Sequence, residues 1–114
     1  MKRGEVYWND RDEPLRGNKP GSYVVVGRQF FRDYPKMQTV MCAPVYSQVL
    51  GADTEVIIDI SEGVRHRSSV RCDLLTQIEK SRLVRLVGRL TASQVGELNQ
   101  AIARGAALDE PYDL

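Results

Sequence analysis

Three polar side chains follow a short apolar segment in the first half of the chain. The segment from Thr39 to Ala43 is apolar and partly β-branched, and Tyr46, Ser47 and Gln48 come shortly after it. Such a run is typical of a buried strand, which would hold these hydroxyl and amide groups rigidly at its end. Hydroxyl groups placed in this way can hydrogen-bond a phosphate oxygen or donate toward a leaving group. The alternative is a strand that simply runs out into a surface loop.

Basic residues elsewhere could supply the positive charge that a phosphate needs. Arg16 and Lys19 lie in a long loop rich in Gly and Pro, and Arg28 follows the next predicted strand, Tyr23 to Val26. Because a planar guanidinium can hold two phosphate oxygens, we predict Arg16 and Arg28 as the principal cations and Lys19 as electrostatic support. The alternative for each is a solvated surface side chain.

The only histidine, His66, stands between Arg65 and Arg67. Two flanking cations disfavour a third positive charge, so a neutral His66 could act as a base near neutral pH. An exposed loop histidine is the alternative.

The net charge of +1 hides an uneven distribution. Residues 1–36 carry eight Lys and Arg against five Asp and Glu, and residues 63–90 carry seven against two. If these two blocks share a face, they form a phosphate-attracting surface on a nearly neutral protein. A solvated mixture of charges is the alternative.

Length and composition indicate one globular domain in a reducing compartment. The chain has 114 residues, 42% hydrophobic and 27% charged. No apolar run approaches the roughly 20 residues of a membrane span, and the first residues lead into no signal-peptide core. Cys42 and Cys72 lie in apolar segments without metal-ligand spacing, so we interpret them as buried thiols. We therefore expect a cytoplasmic protein with no cofactor, no metal site and no membrane association.

Short strands and one long helix organise these candidates. Besides the two strands above, we expect strands at Thr54 to Ile60, Val70 to Leu75 and Leu83 to Leu90, and short turns at Phe30 to Tyr34 and Ile78 to Arg82. Pro44 should weaken strand pairing or cause a bulge.

The C-terminal segment predicts a helix. Thr91 and Gln94 form a capping-box pattern, and the apolar residues after them, Val95, Leu98, Ala101 and Ile102, recur at helical spacing. A terminal helix over one face of an antiparallel sheet gives the α+β class.

The order of these motifs resembles the MazF/PemK toxin family. The opening R-G-E-V-Y-W at Arg3 to Trp8 and the strand V-M-C-A-P-V-Y-S at Val40 to Ser47 are similar to elements of that family. The later segments T-E-V-I-I, E-G-V-R-H-R-S-S-V, D-L-L-T-Q-I-E-K-S-R-L and V-G-R-L follow in the same order before the capped helix. The resemblance covers about residues 3–108 of a single domain, 1–114, whose residues 109–114 form an acidic tail. It implies a small antiparallel SH3-like barrel or sheet with short helices and a C-terminal helix, as in MazF, PemK and CcdB toxins.

The resemblance also implies a function: the toxin of a type II toxin–antitoxin system. Such a toxin is a homodimeric, metal-independent endoribonuclease that cleaves single-stranded RNA, and an acidic antitoxin protein blocks it. Metal-free cleavage needs a base for the 2′-hydroxyl, a donor for the 5′-oxygen and positive charge for the phosphorane. We therefore predict as catalytic residues Ser47, Arg28, Arg16 and Tyr46, and as RNA-binding residues Lys19, Gln48, Arg65, His66 and Arg67.

Ser47 is preferred to Tyr46 because successive strand residues point to opposite faces, so only one reaches the phosphate unless a bulge at Pro44 re-aims the pair. Of Trp8 and Tyr7, we expect one to pack in the core and one to be half-exposed, and we prefer core packing to stacking on an RNA base. Candidate dimer surfaces are Phe30, Phe31 and the apolar face of the terminal helix.

Two positions depart from the family pattern. Ser22 and Tyr23 stand where the family usually has Arg-Pro, with the Arg regarded as its main catalytic cation, and Tyr46 replaces the first hydroxyl after the strand proline, usually Thr. The alternative function is therefore an impaired member of the fold that binds nucleic acid or a protein. A gyrase poison ranks last, because that group ends in Trp-Gly-Ile and this chain does not.

Overall fold

In the part of the chain that the structure describes, residues 1–11 and 19–111, seven strands form one antiparallel sheet and a C-terminal helix covers one face of it. The structure is a computed structural model. The strands are β1 (Glu5–Asn9), β2 (Gly21–Val25), β3 (Thr39–Tyr46), β4 (Glu55–Ile58), β5 (Ser68–Arg71), β6 (Thr76–Glu79) and β7 (Arg85–Arg89). The helices are α1 (Gln29–Asp33) and α2 (Ala92–Gly105), with 3-10 turns at Ile60–Glu62 and Lys80–Arg82. Within those residues, no helix has the length and apolar character needed to cross a membrane.

The sheet is built around β3. The strand order is β4-β5-β3-β2-β1-β7, and β6 pairs with the first half of β3. On that side, β3 pairs with β6 up to Cys42 and with β5 from Val45 onward. On the other side, Pro44 is paired with Tyr23 of β2. Because proline lacks the ladder donor, the weakened pairing predicted at Pro44 takes the form of this change of partner. The sheet curls into a half-barrel, which confirms the predicted α+β fold.

Alternating side chains of the central strands fill two cores, one on each face of the sheet. Val24 lies in the core under α2, whereas Tyr23 and Val25 lie in the opposite core. Cys72 belongs to the first core and Cys42 to the second, and both are buried free thiols, as the sequence predicted. Burial raises the pKa of each thiol to about 12, so both stay protonated at neutral pH.

Two glycines let the edges of the sheet meet. Gly63 follows the 3-10 turn after β4, and its backbone packs directly on Val87 and Gly88 of β7. A Cβ atom on Gly63 would overlap the carbonyl oxygen of Val87, and one on Gly88 would overlap the carbonyl oxygen of Glu62. Gly63 also has a φ of 96°, in the left-handed region that favours glycine. Because β4 and β7 lie at the two ends of the strand order, this contact brings the two edges of the half-barrel together and places the loop after Gly63 on β7.

The terminal helix begins as predicted and packs inside the chain. The Gln94 amide N–H donates to Thr91 Oγ1 at 3.1 Å, and the Thr91 N–H donates to Gln94 Oε1 at 2.8 Å. Leu98 and Ala101 are fully buried in the core under the helix. This burial corrects the expectation that the apolar face of the helix lines a dimer interface, since the sheet of the same chain already covers that face.

Candidate functional site

A cleft of about 300 Å³ lies at the end of β3, where the loop 63–68 approaches β7. Its polar lining consists of four hydroxyl groups, one indole, one imidazole and two guanidinium groups, contributed by Ser22, Tyr46, Ser47, Ser68, Trp8, His66, Arg65 and Arg85. Among the described residues, none that lines the cleft carries a carboxylate. The cleft is therefore basic and rich in hydroxyl groups, a combination suited to a phosphate.

Strand pairing places three of the lining residues in one row. Trp8 of β1 is paired with Ser22 of β2 on one side and with Arg85 of β7 on the other. Directly opposed residues of neighbouring strands point to the same face of a sheet. The side chains of Trp8, Ser22 and Arg85 therefore point to one face of the sheet. It is the face on which Val6, two residues before Trp8, packs in the core under α2.

Ser47 reaches the cleft because it continues a row of inward-facing residues. Ala43 and Val45, four and two positions earlier, lie in the core under α2. Alternation along the strand directs Ser47 to that same face, where it lines the cleft as an exposed side chain. The hydroxyl is thus held at the end of a buried strand and is open to a ligand.

Tyr46 separates this cleft from a second pocket. It is half-buried and lines the cleft, but it also borders a pocket of about 270 Å³ together with Tyr23 and Pro44. The guanidinium of Arg71 lies 5.9 Å from the Tyr46 ring centroid and makes a two-pronged ion pair with Asp73, at 2.9 and 2.7 Å. The hydrogen bonds to Asp73 raise the pKa of Arg71 against the opposing effect of burial.

A buried carboxylate fixes the start of the loop that carries Arg65 and His66. Glu62 is 5% exposed and accepts hydrogen bonds from the Ser61 hydroxyl, from Gln94 Nε2 at 2.9 Å and from the Asp59 N–H at 3.0 Å. The bonds from Ser61 and Gln94 hold the pKa of Glu62 below its usual value, although burial opposes them. An ionised Glu62 therefore ties the 3-10 turn to α2 and sets where the loop leaves it.

Local hydrogen bonds orient His66. Its Nδ1 lies 3.2 Å from the carbonyl oxygen of Arg67, and Ser68 Oγ donates to the His66 carbonyl oxygen at 2.9 Å. When Nδ1 donates to that carbonyl, a neutral ring carries its lone pair on Nε2. The exposed imidazole then presents an acceptor nitrogen that can take a proton.

The cleft brings together four of the residues predicted from the sequence: Ser47, Tyr46, Arg65 and His66. Three others, Lys19, Gln48 and Arg67, are exposed residues next to lining positions in the chain, but they do not line the cleft themselves. Arg16 lies outside the described residues.

Arg28 lies at the other end of the β2–β3 pair. It precedes α1 as an exposed residue, and the N–H of neighbouring Gly27 donates to the Met41 carbonyl oxygen at 3.1 Å. Four strand residues, or about 13 Å, separate Met41 from Val45 at the cleft. The structure therefore does not bring Arg28 beside Ser47, because β2 begins at the cleft and runs away from it.

Part of the positive charge in the two basic blocks supports the backbone. Arg32 donates to two backbone carbonyl oxygens at 2.9 and 3.0 Å, and Lys80 donates to two at 2.8 and 3.1 Å. Arg3 donates to one at 2.9 Å. Block charge in the sequence therefore overstates the positive charge that faces the cleft.

Sequence reasoning missed Arg85 and misjudged Trp8. Trp8, expected in the core, is half-buried and lines the cleft, where its ring could stack on a base. Arg85 falls in a predicted strand, but its role depends on which strand it pairs with. The only local signal is the alternation of Arg85, Leu86 and Val87, which places Arg85 and Val87 on one face.

The described residues contain no group of three or more His, Cys, Asp or Glu side chains placed to hold a metal ion. The side chains that do line the cleft can accept a proton, donate hydrogen bonds and offset negative charge. Those are the abilities that acid–base chemistry at a phosphate diester requires.

Comparisons with known proteins show the family to which the chain belongs. A model of the family described as PemK-like, MazF-like toxins of type II toxin–antitoxin systems matches residues 2–105. Endoribonuclease MazF3 of Mycobacterium tuberculosis is 34% identical over 92 residues, which cover 81% of this chain and 87% of that protein.

Solved structures show the same fold. The Mycobacterium tuberculosis toxin MazF-mt6 aligns with a TM-score of 0.76 and 28% identity over 95% of this chain and 99% of that one. A mycobacterial endoribonuclease in complex with its cognate antitoxin aligns with a TM-score of 0.75 and 19% identity over 99% of both chains. Since the family model spans nearly the whole chain, this protein belongs to the PemK-like, MazF-like toxins of type II toxin–antitoxin systems.

Proposed function

We propose that the cleft is the endoribonuclease site of this toxin and that it cleaves single-stranded RNA without a metal ion. The observation that carries the proposal is the lining of the cleft, which combines hydroxyl groups, an imidazole and two guanidinium groups with no carboxylate among the described residues. A concave basic surface of this kind attracts a polyanion and holds its phosphates close to hydrogen-bond donors.

The proposed reaction is attack of a ribose 2′-oxygen on the adjacent phosphorus. His66 Nε2 takes the proton from the 2′-hydroxyl, the bond from phosphorus to the 5′-oxygen of the next nucleotide breaks, and that oxygen is protonated by the imidazolium or by water. Ser47 donates a hydrogen bond to a non-bridging oxygen, and Arg65 offsets the negative charge of the phosphorane. The products are a 2′,3′-cyclic phosphate and a 5′-hydroxyl end.

We propose an acidic antitoxin as the inhibitory partner. A mycobacterial relative of the same fold was solved with its cognate antitoxin. An acidic segment lying in the cleft would pair with Arg65 and Arg85 and would exclude RNA by occupying the same charges.

We also propose that the toxin acts in the cytoplasm as a homodimer. Two buried free thiols suit a reducing compartment. Phe30, Phe31 and Tyr34 form an exposed aromatic cluster with ring centroids 5.2 and 5.4 Å apart, and such a patch is suited to contact with a second copy.

A binding module without activity is the second candidate. The observation that favours it is Ser22, a short neutral side chain in the cleft at the position where the resemblance predicts the main catalytic Arg. The same basic cleft would then hold RNA without cutting it.

The test is incubation of the purified protein with a long RNA in excess EDTA, followed by mapping of the ends. We expect cleavage at short recurring sequences, with 2′,3′-cyclic phosphate and 5′-hydroxyl ends. Activity that disappears with EDTA and returns with magnesium or manganese would contradict the mechanism. Binding of the RNA without any cleavage would favour the second candidate.

A further inference from the structure

We infer that Arg85, on the last strand of the sheet, contacts the scissile phosphate and stabilises its transition state. The inference deepens the proposed function, because it rests on RNA cleavage in the cleft. It names a strand-borne cation in addition to Arg65, which stands on a loop.

A bulge in β7 directs Arg85 into the cleft. The pairing of β1 with β7 shifts between Val6, which faces Gly88, and Tyr7, which faces Leu86, so Val87 is the extra residue. With regular pairing from Gly88, Leu86 would lie opposite Trp8 and would share its face. The bulge places Arg85 there instead, and bulges are a known means of re-aiming a side chain at a site.

The row of paired residues sets how far Arg85 has to reach. Trp8 separates Arg85 from Ser22, so the backbones of Arg85 and Ser22 are two strand spacings, or about 10 Å, apart. All three side chains rise from one face, with Ser22 too short to fill the space above Trp8. A long guanidinium from position 85 can extend over the indole toward the hydroxyl groups on the far side of the cleft.

Among the described residues, no carboxylate is recorded in an ion pair with Arg85. The ion pairs recorded among the described residues involve Arg71, Arg82 and Arg104, not Arg85. No carboxylate lines the cleft in that part of the chain. A guanidinium that has no recorded ion pair with a described carboxylate and that faces hydroxyl groups in a basic cleft suits a phosphate, which its planar fork can hold by two oxygens.

Arg89 provides a matched control on the same strand. It is exposed like Arg85, but it is paired in register with Glu5 and does not line the cleft. Burial and Glu5 raise the pKa of Tyr7, and the charge of Arg89 opposes them with a smaller effect. A general effect of removing one positive charge from β7 should therefore appear equally in Arg85→Ala and Arg89→Ala.

The experiment compares Arg85→Ala, Arg85→Lys and Arg89→Ala with the parent. We expect Arg85→Ala to lower kcat/KM by about a hundredfold to a thousandfold, the scale of losing one preorganised donor to the transition state. Arg85→Lys should recover part of the loss, because it keeps the charge without the fork. Arg89→Ala should stay within about twofold of the parent.

Binding to an RNA with 2′-O-methyl groups supplies a second readout that needs no cleavage. Arg85→Ala should reduce the slope of log K against log salt by about one, and Arg89→Ala should leave it unchanged. If Arg85→Ala matches Arg89→Ala in both rate and slope, the inference is overturned. If the parent protein never cleaves RNA, the proposed function fails, and the role of Arg85 in the transition state fails with it. An unchanged salt dependence of binding in Arg85→Ala would refute the contact between Arg85 and the phosphate. Thermal unfolding of each variant identifies any misfolded protein, and Arg85→Gln, which keeps much of the side chain, then takes the place of the alanine variant.

Discussion

Ser47 and Arg85 approach the cleft from opposite sides of the Trp8–Ser22 pair. Ser47 extends from the buried β3, and Arg85 extends from the edge strand β7. The Ser47 side chain is short, so the strand before it fixes the position of its hydroxyl group. The Arg85 side chain is long, so only the register of β7 against β1 has to be fixed for it to reach the cleft. The two can therefore meet on one phosphate, with the serine setting its position and the arginine offsetting its charge.

At the residue scale, we predict that Ser47→Ala slows RNA cleavage by a factor of roughly ten to a thousand, the range for losing one transition-state donor. Unfolding should hardly change, because Ser47 is exposed. The matched control is Ser81→Ala, which removes an exposed hydroxyl at a different pocket and should cleave like the parent. Single-turnover cleavage rates at saturating protein concentration compare the two variants with the parent. Equal rates for the Ser47 variant and the parent would place the chemistry elsewhere.

At the element scale, the loop 63–68 depends on contacts made before it begins. Gly63 and Gly88 allow backbone contact between the two edges of the sheet, and Glu62 connects the same point to α2. Arg65 and His66 lie within three residues of Gly63, so these contacts also determine where their side chains begin. The position of the loop is therefore set by this contact between the two edges of the sheet rather than by the short sequence of the loop itself.

We predict that Gly63→Ala lowers the free energy of unfolding by roughly 1–3 kcal/mol, since it adds a clash with Val87 to an unfavourable positive φ. Cleavage should fall as well, because the clash displaces the loop. The contrasting variant is Gly96→Ala inside α2, where an added Cβ has open space and should raise stability by up to about 1 kcal/mol. Urea unfolding measures both changes. An unaltered unfolding midpoint for Gly63→Ala would show that the edge contact does not matter.

Elements with a strong local pattern could be predicted from the sequence, and elements defined by distant partners could not. The capping box at Thr91 and the buried β3 follow from nearby residues. The turn expected at Ile78 to Arg82 overlaps the end of β6, which was not predicted as a strand. Thr76–Glu79 buries only Ile78, and its strand structure depends on pairing with β3. Among the site residues, Ser47 could be predicted from the apolar segment that precedes it, and His66 from the arginines on either side of it. The alternation of Arg85, Leu86 and Val87 indicates only which residues share a face, and the position of Arg85 at the cleft depends on the β1–β7 pairing and its bulge.

At the scale of the whole molecule, a nearly neutral protein concentrates positive charge in one cleft. The net charge is +1, yet Arg65 and Arg85 line the same concave surface. Arg28 and the aromatic residues of α1 lie at the other end of β2, away from that surface. The cleft and the aromatic cluster can therefore engage different partners, RNA at one and a second copy of the chain at the other.

The most direct test of the central claim is the surface that RNA covers in solution. An oligonucleotide spanning a mapped cleavage site, with 2′-O-methyl groups to prevent cutting, would be titrated into ¹⁵N-labelled protein and followed by amide chemical shifts. We predict that the largest changes fall at Ser22, Ser47, the loop 63–68 and Arg85, with little change at Arg28 or Phe30. Changes concentrated around α1, with the cleft amides unmoved, would contradict the assignment of this cleft as the RNA site.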